Sequence, residues 1–323
     1  MKILITGQDG FLASHLADYI LEHEKAVEIW GTIRKGADRR NISHIIDQLH
    51  LVDMDLTDAY SVRNAVHTAM PDKVFSLAGQ SYVPTSWTSP ANTFEVNAVG
   101  TIHLLEAVRR ECKDAYVQVA GSSEEYGDAY GEEPIAESRE LRPLSPYGVS
   151  KVAADLVAFQ YARSYGLNLL ISRTFNQSGP RRGEQFFDSN WAKQIAEIEA
   201  GLRPPLIKHG NLDAVRDLSD ARDTVQIYWM LSNLGYLRGV RVNVCSGYGF
   251  RMKWVLNKLI SFSLDGPCIK LVQDPERMRP SDVPWLVGDP TALKALLGGV
   301  LPHRAYEQTL SDLLAYWRGH IGK

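Results

Sequence analysis

Tyr147 and Lys151 are the first residues whose types and spacing could carry chemistry. They are four positions apart in a segment that starts after Pro146 and has apolar residues at helical spacing, which predicts two side chains on one helix face, one turn apart. A free tyrosine loses its proton near about pH 10, and a cation within about 4–6 Å lowers that pKa by roughly one to three units. The pair therefore predicts a proton donor or acceptor at neutral pH, although the heptapeptide Ser145–Lys151 alone also fits an ordinary helix with one solvated lysine.

A second group of reactive side chains follows a predicted strand at Tyr116–Ala120. The next residues supply two hydroxyls and two carboxylates, from Ser122, Ser123, Glu124 and Glu125. Ligands of open α/β sheets bind beyond the carboxyl ends of the strands, so this loop is expected to line a site.

The elements that must position these groups alternate between short apolar strands and amphipathic helices. Strands are predicted at Ile3–Thr6, Val27–Ile33, His50–Leu56, Val74–Gly79, Tyr116–Ala120, Leu167–Arg173 and Val242–Ser246, and a long helix at Asn92–Val108. The fold class is therefore predicted as α/β, a Rossmann-type doubly wound parallel sheet with a smaller C-terminal α/β domain. The first domain is expected to span 1–175 with about 217–248 returning to it, and the second 176–216 with 249–323.

The first strand runs into Gly7, Gly10 and Ala13 at the start of a helix. Such spacing permits a tight turn, a close approach of backbone to a pyrophosphate, and an anion site at the helix N-terminus. Arg34, at the end of the second strand, favours a 2′-phosphate, so NADP(H) is predicted rather than NAD(H). Asp55 is placed to receive the adenine amino group or to cap a helix that starts near Thr57.

Composition limits the class of partner. The 323 residues carry a formal net charge of −3, and no apolar run approaches the roughly 18 residues of a membrane helix. No nucleic-acid or membrane partner and no metal site are expected. Three isolated cysteines and the absence of room for a signal peptide before the first strand favour a cytoplasmic protein.

The glycine turn, the serine loop and Tyr147-x-x-x-Lys151 together resemble the extended short-chain dehydrogenases/reductases that remodel nucleotide sugars. The resemblance covers nearly the whole chain. It implies that Ser122 orients the sugar oxygen, Tyr147 moves the proton, and Lys151 lowers the pKa of Tyr147 and holds the nicotinamide ribose. The dinucleotide site that it implies is formed by Gly7, Gln8, Asp9, Gly10, Phe11, Leu12, Arg34, Asp55, Leu56, Leu77, Ala78, Gly79, Tyr147, Lys151 and Phe175.

On the substrate side the resemblance implies a nucleotide diphosphate-sugar, which needs separated arginines. The residues assigned to it are Ser123, Asn176, Lys193, Arg216, Arg279 and Asp282, whereas Arg181, Arg182 and Arg277 fit a solvated surface. A homodimer or homotetramer is typical of the family, with the helices at Asn92–Arg109 and Tyr147–Ser164 as its interface.

Four stretches are most similar to family members that reduce C4 of a GDP-linked 4-keto-6-deoxyhexose, namely 121–127, 141–151, 210–217 and 243–247. Members that dehydrate GDP-mannose come next, and Pro180–Gly183 is closer to them. A dehydratase needs a base two positions after the catalytic hydroxyl residue, and Glu124 occupies that position. Glu125 favours the reductase, because the dehydratases usually carry an apolar residue there. A non-catalytic dinucleotide sensor is a third alternative, disfavoured because Ser122, Tyr147 and Lys151 are all present.

Overall fold

The computed structural model describes residues 1–128, 131–278 and 282–321. Strands in this part of the chain are β1 (Lys2–Ile5), β2 (Glu28–Ile33), β3 (Leu49–Asp53), β4 (Lys73–Ser76), β5 (Tyr116–Ala120), β6 (Asn168–Thr174), β7 (Asn176–Ser178), β8 (Leu206–His209), β9 (Val215–Asp220), β10 (Val240–Val244), β11 (Gly249–Arg251), β12 (Lys270–Gln273) and β13 (Trp285–Leu286). Seven of them form one sheet in the order β10-β6-β5-β4-β1-β2-β3, and every pairing in it is parallel. The predicted fold class is confirmed, and the order reverses direction between β1 and β4, where such sheets bind ligands.

The helices in the described residues are α1 (Phe11–His23), α2 (Ala59–Ala69), α3 (Val83–Thr88), α4 (Pro90–Phe94), α5 (Gly100–Glu111), α6 (Pro146–Tyr165), α7 (Phe187–Glu199), α8 (Ala221–Ser232), α9 (Met252–Ser261), α10 (Thr291–Leu296) and α11 (Tyr306–Arg318). The long helix predicted at Asn92–Val108 lies where expected, but a π-helical turn at Glu95–Val99 separates α4 from α5. Such turns concentrate at functional sites. None of the helices in these ranges is both long enough and apolar enough to cross a bilayer.

The main sheet is covered by helices on both faces, which bury the apolar side chains that its strands present on either side. One face packs on α2, α5 and α6, with Val62, Leu104 and Ala158 fully buried between them. The other face packs on α1, α8 and α10, where Leu16 and Leu293 are fully buried. The two layers hold the carboxyl ends of the strands in a fixed arrangement.

Two smaller sheets lie outside the main one. In the first, β9 pairs with β7, β11 and β13, and in the second β12 pairs with β8. They pack with α7, α9 and α11 around a separate core that includes Trp191, Leu256 and Leu310.

β10 pairs with β6, so the chain returns to the main sheet at Val240–Val244. Val215–Asp220 belongs to the smaller sheet, and so does β11 after the return, whereas α10 packs against the main sheet.

Candidate active site

One cleft of about 1030 Å³ contains most of the residues that the sequence singled out. It follows the carboxyl edge of the main sheet, because its lining includes the residues that come directly after the strands. Gly7 follows β1, Arg34 follows β2, Ser122 lies two residues beyond β5, and Phe175 follows β6. Open parallel sheets bind ligands at this edge.

The glycine turn leaves the N-terminus of α1 open towards the cleft. Gly7 has a φ of +68°, and a Cβ on it would lie 3.1 Å from the Cα of Ala78. Gly10 precedes the helix without any side-chain cap, and its N–H donates to the Gly7 carbonyl at 2.8 Å. Uncapped N–H groups and the helix dipole attract anions, so this cradle fits the pyrophosphate of a dinucleotide.

One residue assigned to that cradle lies elsewhere. Gln8 is fully buried behind the turn and does not line the cleft. Its Nε2 donates to the Ala13 carbonyl at 3.0 Å, and its side chain packs so closely over Gly31 that a Cβ there would lie 2.5 Å from Cγ. The turn thus directs the Gln8 side chain into the core and away from the cleft.

The remaining predicted dinucleotide residues line the cleft: Asp9, Phe11, Leu12, Arg34, Asp55, Leu56, Leu77, Ala78 and Gly79. Asp55 also holds its own turn, since its Oδ1 accepts from the Thr57 N–H at 2.9 Å and the Thr57 hydroxyl at 2.8 Å. Those hydrogen bonds and the charge of Arg34 lower the pKa of Asp55. The cap of α2 is Asp58 and not Asp55, because the Asp58 side chain accepts from the Tyr60 N–H.

Helix α6 and the serine loop bring the predicted catalytic residues together. Ser145 caps α6 by accepting from the Gly148 N–H at 3.0 Å, and this fixes Tyr147 in the first turn. The Ser122 hydroxyl and the buried Tyr147 phenol both line the cleft, and Ser122 is close enough to lower the pKa of the phenol. Lys151 Nζ donates to the Ala120 carbonyl at 2.7 Å and lies 6.0 Å from the centre of the Tyr147 ring.

The electrostatics of this group differ from the expectation drawn from the Tyr–Lys spacing. Burial raises the pKa of Tyr147, and the hydrogen bond from Ser122 offsets only part of that rise. Burial lowers the pKa of Lys151, because a charged ammonium is poorly solvated there. The resting form of Tyr147 at neutral pH is therefore the neutral phenol, which is a proton donor.

The two adjacent acids of the serine loop point in different directions. Glu124 lines the cleft beside Ser122 and Ser123, as predicted for a base. Glu125 is fully buried, and its Oε1 accepts from the Ser122 N–H at 2.7 Å. Within one 3₁₀ turn, Glu124 thus presents its carboxylate to the cleft and the next residue, Glu125, buries its own.

On the substrate side, Asn176 and Arg216 line the cleft. The Asn176 Oδ1 is buried without a hydrogen-bond partner among the described residues, so it is available to a ligand. Arg216 donates to the Asp282 Oδ1 at 2.7 Å, and Asn211 donates to the other oxygen of that carboxylate at 2.7 Å. Asp282 therefore orients Arg216.

Lys193 and Arg279 were also assigned to substrate binding. Lys193 does not line the cleft, because it pairs with Glu184 and Glu197 and lies over the Trp317 ring. The carboxylates of Glu184 and Glu197 hold the Lys193 ammonium away from the cleft. Arg279 lies outside the described residues.

Arg182 is a cleft residue that the sequence analysis treated as surface. It is buried with its guanidinium 4.1 Å from the Phe186 ring centre and 5.4 Å from that of Phe11, and its Nε lies 3.3 Å from Asp188 Oδ1. This places a cation beside the N-terminus of α1, where phosphate charge is expected. Phe186 and Asp188 are the only partners close to Arg182 in sequence that could have indicated its burial, because Phe11 is distant in sequence.

Asn97 was also missed. It sits in the π-helical turn, where its Oδ1 accepts from the Gln80 N–H at 2.9 Å and its Nδ2 donates to the Gln80 carbonyl at 2.9 Å and to Ser150 Oγ at 3.0 Å. Ser150 in turn donates to the Tyr147 carbonyl at 2.7 Å. Asn97 thus connects the loop after β4 to α6, the helix that carries Tyr147. No local sequence pattern predicts this connection.

Comparison with known proteins places this geometry in context. The model of the GDP-mannose 4,6 dehydratase family matches residues 4–300. The GDP-mannose 4,6-dehydratase of Vibrio cholerae serotype O1 is 33% identical, with 96% of this chain and 91% of that protein covered. The GDP-6-deoxy-D-mannose reductase of Pseudomonas aeruginosa is 30% identical, with 99% of this chain and 98% of that protein covered.

Two solved structures are similar throughout. RMD from Pseudomonas aeruginosa complexed with NADPH has a TM-score of 0.83 at 27% identity, covering 99% of this chain and 100% of that chain. UDP-glucose 4-epimerase from Thermus thermophilus, complexed with NAD, has a TM-score of 0.85 at 26% identity, covering 99% of this chain and 100% of that chain.

Proposed function

The chain belongs to the GDP-mannose 4,6 dehydratase family, and from this premise we propose that it is a GDP-4-keto-6-deoxy-D-mannose reductase that uses NADP(H). The reaction is the reduction of the C4 ketone of a GDP-linked 4-keto-6-deoxyhexose to GDP-D-rhamnose. When bound, the nicotinamide dinucleotide supplies the hydride. The chain itself must bind the diphosphate-sugar, orient its C4 oxygen and supply one proton.

The observation that carries this proposal is the placement of Tyr147 in the cleft together with Ser122 and Lys151. A phenol in that place is protonated at neutral pH and can give its proton to a ligand in the cleft. A forming alkoxide at C4 needs such a donor, and Ser122 can orient the same oxygen by a second hydrogen bond. A dehydratase begins with the opposite transfer, because its C4 hydroxyl must first lose a proton.

The preference for NADP(H) rests on Arg34. It is exposed at the end of β2 and lines the cleft near Asp55, whose pKa it helps to lower. A guanidinium in that place suits the 2′-phosphate of the adenosine. Arg40, which lies in the same loop, is paired with Asp38.

Binding of the diphosphate-sugar is assigned to Arg216 and Asn176. Arg216 is held by Asp282, so its planar guanidinium is fixed before a phosphate arrives. Asn176 offers an unpartnered amide oxygen, which accepts from a sugar hydroxyl.

A GDP-mannose 4,6-dehydratase is the second candidate, and Glu124 is the observation that favours it. This carboxylate lines the cleft close enough to Tyr147 to raise the pKa of the phenol. A base in that place could remove the C5 proton.

The decisive experiment supplies GDP-mannose or GDP-4-keto-6-deoxymannose, each with and without added NADPH, and identifies the products. A reductase oxidises NADPH with the ketosugar and leaves GDP-mannose unchanged. The matched variant Glu124→Gln should keep substantial reductase turnover. Conversion of GDP-mannose with catalytic NADP in deuterated water to a product labelled at C5, abolished by Glu124→Gln, would establish the dehydratase instead.

A homodimer or homotetramer is also proposed, with α6 at its interface. Val149, Leu156 and Phe159 lie three and seven positions apart on this helix and are all exposed. An apolar row on the outside of a helix is typical of a protein interface. Sedimentation of the wild type against Leu156→Glu tests this, and a monomeric wild type contradicts it.

A further inference from the structure

One face of α1 holds three successive residues of the loop after β7. The helix residues are spaced by four and three positions, so they form one row, and they are Phe11, His15 and Asp18. His15 Nε2 donates to the Pro180 carbonyl at 2.9 Å. Arg181 Nη1 lies 2.6 Å from Asp18 Oδ2. The guanidinium of Arg182 lies 5.4 Å from the centre of the Phe11 ring.

The turn in this loop depends on the backbone conformation of Arg181. Its φ is +70°, in the left-handed region that residues with a Cβ seldom adopt. Arg181 reaches away from the cleft to Asp18, whereas the next residue, Arg182, lines the cleft. Residues in such conformations persist where surrounding contacts determine them, and they concentrate at binding sites. The ion pair with Asp18 is a contact of this kind.

The Asp18–Arg181 pair is partly shielded from water. The two side chains are 28% and 19% exposed, so the solvent screens their attraction less than that of a fully exposed pair. The other oxygen of Asp18, Oδ1, lies 2.8 Å from Nε2 of His44, which is more exposed than Arg181. Asp18 is thus held from two sides, and Arg181 is its more buried partner.

The far side of the turn is fixed by α7 and not by α1. Ser189 Oγ donates to the Arg182 carbonyl at 2.7 Å, and Arg182 Nε lies 3.3 Å from Asp188 Oδ1. Helix α7 packs in the core of the smaller sheets, whereas α1 packs on the main sheet and its N-terminus forms the glycine cradle. Contacts from α1 therefore set where Arg182 lies relative to that cradle.

We propose that Asp18 is a positioning residue for dinucleotide binding, because its ion pair with Arg181 holds the turn that presents Arg182 to the pyrophosphate. Arg182 supplies the positive charge beside the cradle, and Asp18, which does not line the cleft, fixes its direction. This role deepens the proposed function and rests on it only for the choice of a nicotinamide dinucleotide as the ligand.

The test is titration of the whole chain with NADPH and with NADH, followed by dinucleotide fluorescence. Asp18→Asn keeps the size of the side chain and removes its charge, so the turn is released and Arg182 must be ordered again on binding. Ordering one such side chain should weaken the binding of both dinucleotides about three- to tenfold. The ratio of the two dissociation constants should stay constant, because both ligands contain the pyrophosphate. Arg34→Ala, in contrast, should change that ratio.

Glu22→Gln is the matched control. Glu22 lies one turn beyond Asp18 on α1, is exposed, and forms no ion pair within the part of the chain that the structure describes. Its loss should leave both dissociation constants unchanged. Arg181→Asn removes the same ion pair from the other side, and asparagine tolerates a positive φ. It should therefore weaken binding as much as Asp18→Asn does.

A second comparison separates positioning from a general loss of structure. In an Arg182→Met background, Asp18→Asn should have no further effect on either dissociation constant, because it acts through that arginine alone. Unchanged binding in Asp18→Asn, an equal loss in Glu22→Gln, or a loss that persists in the Arg182→Met background overturns the inference. Binding of a dinucleotide requires no sugar, so a chain that binds both ligands but fails the reductase assay refutes the proposed reaction and leaves this test intact.

Discussion

Replacement of Arg173 by methionine tests whether one buried cation holds the centre of the molecule together. Arg173 is 3% exposed and lies between Glu125 and Asp155. It also donates to the Tyr126 hydroxyl at 3.3 Å and to the Glu137 carbonyl at 3.2 Å. Methionine fills a similar volume but leaves two buried carboxylates facing each other.

The expected loss is large, because removing one partner of a buried ion pair costs about 3–5 kcal/mol. An unfolding entropy of about 2.1 cal/mol/K per residue gives about 0.7 kcal/mol/K for 323 residues. If the chain unfolds as one cooperative unit, its melting temperature should fall by about 4–7 °C.

The loss of stability in Arg173→Met must also depend on pH. Burial and Asp155 already raise the pKa of Glu125 in the folded wild type, and Arg173 opposes that rise, so loss of Arg173 raises the pKa of Glu125 further above its value in the unfolded chain. The stability difference between wild type and variant is therefore largest above neutral pH. It should shrink as the pH falls towards about 4, where the carboxyls of the unfolded chain also take up protons.

The assay is thermal unfolding at several pH values, with Arg241→Met as the control. Among the described residues Arg241 forms an ion pair only with Asp155, and Asp155 keeps Arg173 as a partner when Arg241 is lost, so no carboxylate is left without a cation. A loss in Arg173→Met that is no larger than in Arg241→Met, or that does not change with pH, would show that lost packing and not uncompensated charge is responsible.

Three further predictions concern separate parts of the molecule. Tyr147→Phe should lower reductase turnover about a hundredfold or more while NADPH still binds, since the general acid is lost; turnover within about tenfold of the wild type contradicts its role. Arg34→Ala should raise the Michaelis constant for NADPH much more than that for NADH, and equal effects would make Arg34 an ordinary loop residue. Burial lowers the pKa of His15 to about 4, below its unfolded value of about 6.5, so the wild type should lose up to about 3 kcal/mol as the pH falls from about 6.5 to about 4. His15→Gln should remove that acid-dependent part of the unfolding free energy, and an unchanged pH dependence would exclude His15 as its source.

Local patterns were sufficient for the sheet and for most of the residues that line the cleft beside Ser122 and Tyr147. The apolar runs that became β1, β4, β5 and β6 are mostly buried strands, and local sequence patterns identify these well. Gly7, Gly10, Ser122 and Tyr147 could be found because each lies at a fixed offset from such a strand or helix. Topology then brings strand ends together, so the cleft follows from the order of elements.

The sequence alone could not predict the direction in which each side chain points. Gln8 and Gly10 lie in one turn, yet Gly10 lines the cleft and Gln8 is buried. Likewise Glu124 and Glu125 are adjacent, but Glu124 lines the cleft and Glu125 is buried. A single step in a turn rotates a side chain away from its neighbour, and only the surrounding atoms decide which direction is filled.

The sequence by itself determined the Rossmann-type sheet, the glycine cradle and the presence of Ser122, Tyr147 and Lys151, because short-range periodicity and turn chemistry encode them. The tertiary structure alone decided how those residues are charged. Spacing suggested that Lys151 lowers the pKa of Tyr147, but burial raises it. Burial depends on which helices cover the strand ends, and the carboxylate of Glu125 and the guanidinium of Arg173 reach this site from elements 48 residues apart in sequence. Desolvation and long-range pairing are properties of the packed chain, and they set the chemistry that its residues can perform.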